Sequence, residues 1–223
     1  MNLTPVITAI TLCLITGLGQ SEMDGSYKVL FDGKFVGQER FQATQLEGVT
    51  RIRSSGPVPG EEPSQQFTTI TEIRKGTIVR YTLEFNKQTG IEKYWINFMG
   101  GKVRVAVEAY GRNTERLKDV SDSAVLLDKN VWHHYRFLLS KYDLDKGGLQ
   151  GFDIFIPQAA FRQYRAEVEM KKKVSFEFRG QKIEAYRFEL LLADTYDVIV
   201  ITDDKKIPLS IEIPSEKIRA ILE

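Results

Sequence analysis

Two histidines, His133 and His134, and two nearby aspartates, Asp143 and Asp145, are the residues whose types and spacing invite a chemical reading, and all four fall between Leu126 and Pro157. A zinc site on a helix needs its histidines one turn apart, whereas adjacent helical residues point about 100° apart, so this pair cannot share one ion. The single cysteine, Cys13, lies far away in an apolar leader and cannot complete such a site. Packing or surface histidines are therefore expected. A general base stays open for either, because imidazole titrates near neutrality. The run KYDLDKGG, Lys141 to Gly148, has the alternating aspartates of a calcium loop, but its third ligand position is Gly147 and the position for the bidentate glutamate is Ile154. Gly147 and Gly148 read instead as the end of a helix and the turn into a strand near Phe152.

Glycine-rich phosphate loops, paired-histidine zinc motifs and a GxSxG elbow are absent from the sequence. Carboxylates such as Glu84, Glu108, Glu177 and Glu189 alternate with apolar residues, as on the wet face of a sheet. No catalytic residue, metal ligand or cofactor site is assigned. Aromatic side chains are the plentiful resource, and Trp95, Trp132, Tyr94, Tyr135 and Phe98 are among those available to fill a core or line an apolar cavity.

The elements that must position these residues follow from periodicity. From Asn130 to Tyr142, Val131, Trp132, Tyr135, Leu138, Leu139 and Tyr142 recur at helical spacing and form one apolar stripe. Nearly everything else alternates with period two. Strands are expected at Ser26 to Phe31, Lys34 to Leu46, Val49 to Ser55, Thr77 to Asn86, Ile91 to Met99 and Lys102 to Tyr110. A loop rich in proline and glycine, Gly56 to Gln65, interrupts them, and a polar segment, Gly111 to Ser123, leads into the helix. Strands resume at Phe152 to Ile156, Tyr164 to Met170, Val174 to Phe178, Glu184 to Ala193, Tyr196 to Thr202 and Ile207 to Ile213, with Lys171, Lys172 and Lys173 in a turn. Ile218 to Glu223 is assigned as a final strand. The fold class is all-β and mainly antiparallel: a strongly curved sheet or half-open barrel, with the amphipathic helix as its lid or plug.

The first residues set the expected location. Val6 to Leu18 carries no charge and is followed by Gly19, which fits a cleaved signal peptide over residues 1–19 and one mature domain over 20–223. The stretch is short for a bilayer span, and Leu12 before Cys13 argues against lipidation. An exported chain, periplasmic or extracellular, follows. Lysine plus arginine total 31 against 30 acidic residues, so no overall field draws this chain to nucleic acid.

The stretch LDKNVWHHYRFLLSKYDLDKGGLQGFDIFIPQ and the N-terminal YKVLFDGKFVGQERF resemble exported bacterial proteins of domain-of-unknown-function family 3108. Such families are grouped with the folds of LolA, LolB and VioE, which implies a curved antiparallel sheet with a helical cover and transfers no catalytic residue. The expected function is binding of an apolar or amphipathic ligand, a lipid or acyl chain, in the cell envelope. Trp132, Tyr135, Leu139 and Tyr142 would form the inner face of the cover, with Tyr94, Ile96 and Phe98 in the wall. Two other readings stay open: an envelope interaction or assembly protein with a packed core, and an enzyme of the VioE kind without a recognisable motif.

Overall fold

The computed structural model describes residues 23–60, 65–87, 90–157 and 161–223; the leader reading on residues 1–19 lies outside them. The chain forms β1 (Gly25–Phe31), β2 (Lys34–Leu46), β3 (Val49–Pro57), β4 (Gln66–Arg74), β5 (Thr77–Lys87), β6 (Gly90–Phe98), β7 (Lys102–Ala109) and β8 (Arg112–Asp119). After β9 (Val125–Leu126) come a 3₁₀ turn at Trp132–His134 and α1 (Tyr135–Ser140). Then follow β10 (Leu149–Ile156), β11 (Arg162–Phe178), β12 (Gln181–Leu192), β13 (Tyr196–Thr202), β14 (Pro208–Ile213) and β15 (Ile218–Leu222). All pair in one sheet, in the order β8-β7-β6-β5-β4-β3-β2-β1-β15-β14-β13-β12-β11-β10-β9. The chain thus runs out to one edge, crosses to the other and returns. Among the described residues, only the short β9–β10 pairing is parallel.

Tight turns set this register. Asp32 and Gly33 (φ 48° and 75°) join the paired residues Phe31 and Lys34, and Lys75 and Gly76 (φ 50° and 76°) join Arg74 and Thr77. Positive φ at both central positions is the two-residue hairpin turn whose twist matches that of the strands. The alternation expected in β5 is observed, with Tyr81, Leu83 and Phe85 buried and Arg80 exposed.

The sheet curls until its two ends meet through side chains. Phe98 on β6 stands edge-to-face with Phe155 on β10 at 5.7 Å, and Tyr94 lies 5.9 Å from Phe161. The β8–β9 connection bridges the same gap, where the Val120 amide donates to the Gly101 carbonyl at 3.0 Å and the Ser121 amide to Gln163 Oε1 at 2.5 Å. β8, at the free edge, carries Arg112, Glu115, Arg116, Lys118 and Asp119, a charged border that disfavours pairing with another chain.

Four sequence expectations are corrected. The polar segment Gly111 to Ser123 contains the strand β8, because an edge strand needs no apolar face. β4, in a stretch assigned to no element, pairs between β3 and β5. The two strands expected around Lys171 to Lys173 are one strand, β11, whose register shifts between Met170 and Lys172; a bulge accommodates the lysines where a turn was expected. The helix is short and ends at Ser140, well before Gly147. Asp143 organises that connection, its Oδ1 accepting from the Asp145 and Lys146 amides at 3.0 and 3.2 Å.

Candidate functional site

The helical segment sits on the concave side and is buried on nearly all sides. Trp132, His133, His134, Tyr135, Leu138 and Leu139 are each at most 3% exposed, while Ser140 and Lys141 reach solvent. Of the two roles expected, lid and plug, the segment fills the second. Its apolar stripe faces β10 to β14, where Tyr142 meets Phe188 edge-to-face at 5.2 Å and donates its hydroxyl to the Gly148 carbonyl at 2.7 Å.

The opposite side of the plug meets a polar wall. Glu39, fully buried on β2, accepts from the Trp132 and His133 amides at 2.8 and 3.3 Å through Oε2. These are N–H groups of the first helical turn, which have no partner within the helix. Its Oε1 lies 2.7 Å from His133 Nδ1, and since a carboxylate only accepts, that nitrogen carries the proton. Three hydrogen bonds compensate a carboxylate that burial would otherwise make costly. His134 accepts from the Asp128 amide at Nδ1 (3.3 Å) and therefore donates from Nε2 to Thr71 Oγ1 at 3.1 Å. Burial, aided by His133, holds the His134 pKa well below the usual imidazole range. Asp128 accepts from the Tyr81 hydroxyl at 2.5 Å, and burial pushes its carboxyl up to about 7, against the lowering effect of Tyr81 and the Lys129 amide. Ser54 and Thr69, 3.0 Å apart, complete the polar inner face of β3 and β4.

Some of this cluster is unsatisfied. Asp128 Oδ1, Asn130 Oδ1, Trp132 Nε1 and His133 Nε2 are buried without a hydrogen-bond partner among the described residues. Glu39, Asp128, His133 and His134 line neither of the two surface clefts described below. Both histidines pack against aromatic rings, His133 on Phe41 and His134 on Tyr81, and no group of three or more histidine, cysteine or acidic residues among the described residues is arranged to hold a metal.

Open space lies beside the plug, near the β3–β4, β5–β6, β12–β13 and β14–β15 connections. A cleft of about 510 Å³ runs between the plug and β11 to β14, floored by Leu127, Tyr135, Leu192, Val198 and Ile213, with Lys129 and Tyr196 at its rim. That volume is in the range of small-molecule sites. A second, more polar cleft of about 310 Å³ lies on the other side of Lys129 and is lined by Lys87, Glu92, Tyr94, Asn130 and Glu216. Lys129 pairs with Glu216 at 2.6 Å and lies over the Tyr196 ring, while Lys87 pairs with Glu92 at 3.0 Å. Burial works to raise the Glu92 pKa, but hydrogen bonds from Lys87, Tyr94 and Tyr110 outweigh it and hold the carboxyl below its ordinary value.

The seven residues expected to contact a ligand are not gathered in one pocket. Tyr135 alone lines the larger cleft and Tyr94 the smaller. Trp132 stacks 6.2 Å behind Tyr135, Leu139 and Tyr142 are wholly packed, and Ile96 and Phe98 belong to a second core cluster around Phe155. Sequence reasoning missed Glu39 and Asp128. A signal for Glu39 existed: it shares the parity of Phe41 and Ala43 and therefore points inward with them.

No family model and no curated protein matches the chain, so the resemblance to family 3108 gains no support there. Two solved structures are similar. A β-barrel-like protein of domain-of-unknown-function family 1849 from Brucella abortus aligns with a TM-score of 0.53 at 12% identity, over 90% of this chain and 94% of that one. A family 1089 protein from Pseudomonas aeruginosa aligns with a TM-score of 0.46 at 12% identity, over 96% and 98%. The first likeness shows the fold, a β-barrel-like architecture, and among the described residues this sheet is mainly antiparallel with one short α-helix. Among the described residues, no helix is long and apolar enough to cross a membrane.

Proposed function

We propose that this protein binds an apolar or amphipathic molecule, such as a lipid or acyl chain, in the cleft between the plug and β11 to β14, and that it does so in the cell envelope. The observation that carries the reading is the cleft itself, about 510 Å³ with a floor of Leu127, Tyr135, Leu192, Val198 and Ile213. A space walled by apolar side chains and rimmed by a few polar ones favours an apolar body and orients it by its polar end. The location rests on the uncharged leader Val6 to Leu18. Lauric acid and lauroyl lipids, titrated and read by native mass spectrometry, test it. Bound acyl ligand is expected for the wild type and is lost in Val198→Trp, whose indole fills the cleft. Failure of every acyl probe to bind would refute the reading.

A second reading, an envelope interaction protein, is favoured by the filled space beneath the helix, where Trp132, Leu138 and Leu139 leave no room. A wild-type protein that binds none of the probes but reproducibly co-purifies with one envelope protein would establish it.

A further inference from the structure

The two clefts share Lys129, and their linings differ in kind. The larger is mostly apolar; the smaller holds two lysines and two carboxylates, Lys87 with Glu92 and Lys129 with Glu216. Building on the proposed acyl site, we infer that the clefts are two halves of one site for a zwitterionic amphiphile, whose head carries a primary ammonium and an anionic group.

The argument is one of charge balance. Each lysine of the polar cleft is already matched to a carboxylate at 2.6 or 3.0 Å. A purely anionic head that drew Lys129 away would leave Glu216 without its cation, and a purely cationic head that drew Glu92 away would strand Lys87. Both exchanges trade one pair for another and leave a partly desolvated charge uncompensated, the costly outcome for a buried or half-buried pair. A head bearing both signs inserts between the two pairs, its anion toward the lysines and its cation toward the carboxylates, and strands nothing. An uncharged polyol head offers only hydrogen bonds to groups already satisfied by charge-assisted ones, which are about twice as strong.

Asn130 decides the kind of cation. It lines the polar cleft, is 7% exposed, and its Oδ1 has no hydrogen-bond partner among the described residues. That oxygen is closed to solvent as it stands, and a turn of the Asn130 side chain toward the cleft would present it to an N–H donor, which a primary ammonium provides and a quaternary ammonium lacks. The polar head thus sits beside Asn130 while the chain passes Lys129 into the cleft floored by Tyr135 and Val198.

The test holds the tail constant and varies the head. Lauroyl lysophosphatidylethanolamine, lysophosphatidylcholine and lysophosphatidylglycerol, with lauric acid, are titrated below their micelle concentrations. Binding is read by native mass spectrometry and by the emission of Trp132, which stacks on the cleft residue Tyr135. The ethanolamine lipid is expected to bind at least tenfold more tightly than each of the other three. Asn130→Leu is expected to erase its advantage over the choline lipid. Glu92→Gln is expected to shift preference toward the anionic probes while lauric acid binds no worse than before. Thermal unfolding of each variant reports whether the fold is kept, and His-tagged wild type supplies the primary result in any case. Equal affinity for all four heads, or an ethanolamine advantage that survives Asn130→Leu, overturns the inference and leaves the acyl site standing. Binding of none of the four overturns both.

Discussion

Asp128→Asn isolates the proton that the buried cluster holds. The Asp128 carboxyl has a pKa of about 7 in the folded chain against 3.8 for the ordinary group, because burial outweighs the Tyr81 hydroxyl and the Lys129 amide. One unit corresponds to about 1.36 kcal/mol, so the difference amounts to roughly 4 kcal/mol of pH-dependent stability, an upper figure for a site that can relax. Between pH about 4 and 7 the folded chain holds a proton here that the unfolded chain has released. Asp128 therefore lends its stability at low pH and loses it as pH rises toward 7. His134 acts in the opposite sense: its depressed pKa means that only the unfolded chain binds a proton below about 6.5, so stability falls as pH falls. The two slopes cancel over much of pH 4 to 6.5, and the wild-type profile alone is uninformative. The difference from Asp128→Asn is the measurement, because the amide removes one titration and keeps an acceptor for Tyr81. Urea unfolding from pH 4.5 to 8.5 is expected to show the wild type losing ground to the variant by about 1.4 kcal/mol per unit up to pH 7 and holding level above it. Parallel curves at every pH would refute a proton held by the folded chain at Asp128.

Tyr81→Phe removes the partner that lowers the Asp128 pKa, so the pH-dependent window should extend above 7 with an overall loss of about 1–3 kcal/mol, read by the same titration. Glu39→Ala strands the Trp132 and His133 amides and the His133 ring; a loss of about 3–5 kcal/mol in urea is expected, with near-ultraviolet circular dichroism reporting the loosened Trp132. A substitution that left stability unchanged would mean that Glu39 does not anchor the plug. Leu139→Ala, at a side chain with no exposure, should cost about 2–5 kcal/mol, and a cost below about 1 would place the plug outside the core. Gly56→Ala tests a close approach, because a Cβ there would stand 3.0 Å from Glu39 Cα and from the Phe67 ring; about 1–3 kcal/mol is expected.

Periodicity made the fold legible where a strand had one wet and one dry face, as in β5 with Tyr81, Leu83 and Phe85, and where a turn had its own chemistry, as at Asp32–Gly33. It failed where that contrast disappears. β8 is exposed almost throughout, and the inner face of β4 carries Thr69 and Thr71, which read as polar although both are wholly buried. The site was legible only in part for the same reason. An apolar stripe announces that a helix packs, and Trp132, Tyr135, Leu139 and Tyr142 do pack, but it cannot tell a filled contact from a cleft. That distinction depends on which neighbour is missing across from each side chain. Tyr135 lines the cleft together with Leu192 of β12 and Val198 of β13, whereas Leu139, on the same stripe, is fully buried away from it.

The buried cluster shows why the plug has two unlike faces. Hydrophobic packing against β10 to β14 is non-directional and would tolerate small rotations of so short a helix. The contacts to the other half of the sheet are directional: two backbone amides and a ring nitrogen on Glu39, His134 between the Asp128 amide and Thr71, and Tyr81 on Asp128. Rotation of the helix would break several of these at once and leave charged or polar groups buried without partners, at a cost of about 1–3 kcal/mol for each. The polar face therefore fixes the rotation at which Tyr135 is presented to the cleft. It follows that Glu39→Gln, which keeps the side chain's volume but offers one acceptor oxygen where two are used, should weaken acyl binding through the cleft although Glu39 does not line it. Unchanged affinity in a variant with measurably reduced stability would separate the anchoring of the plug from the shape of the site.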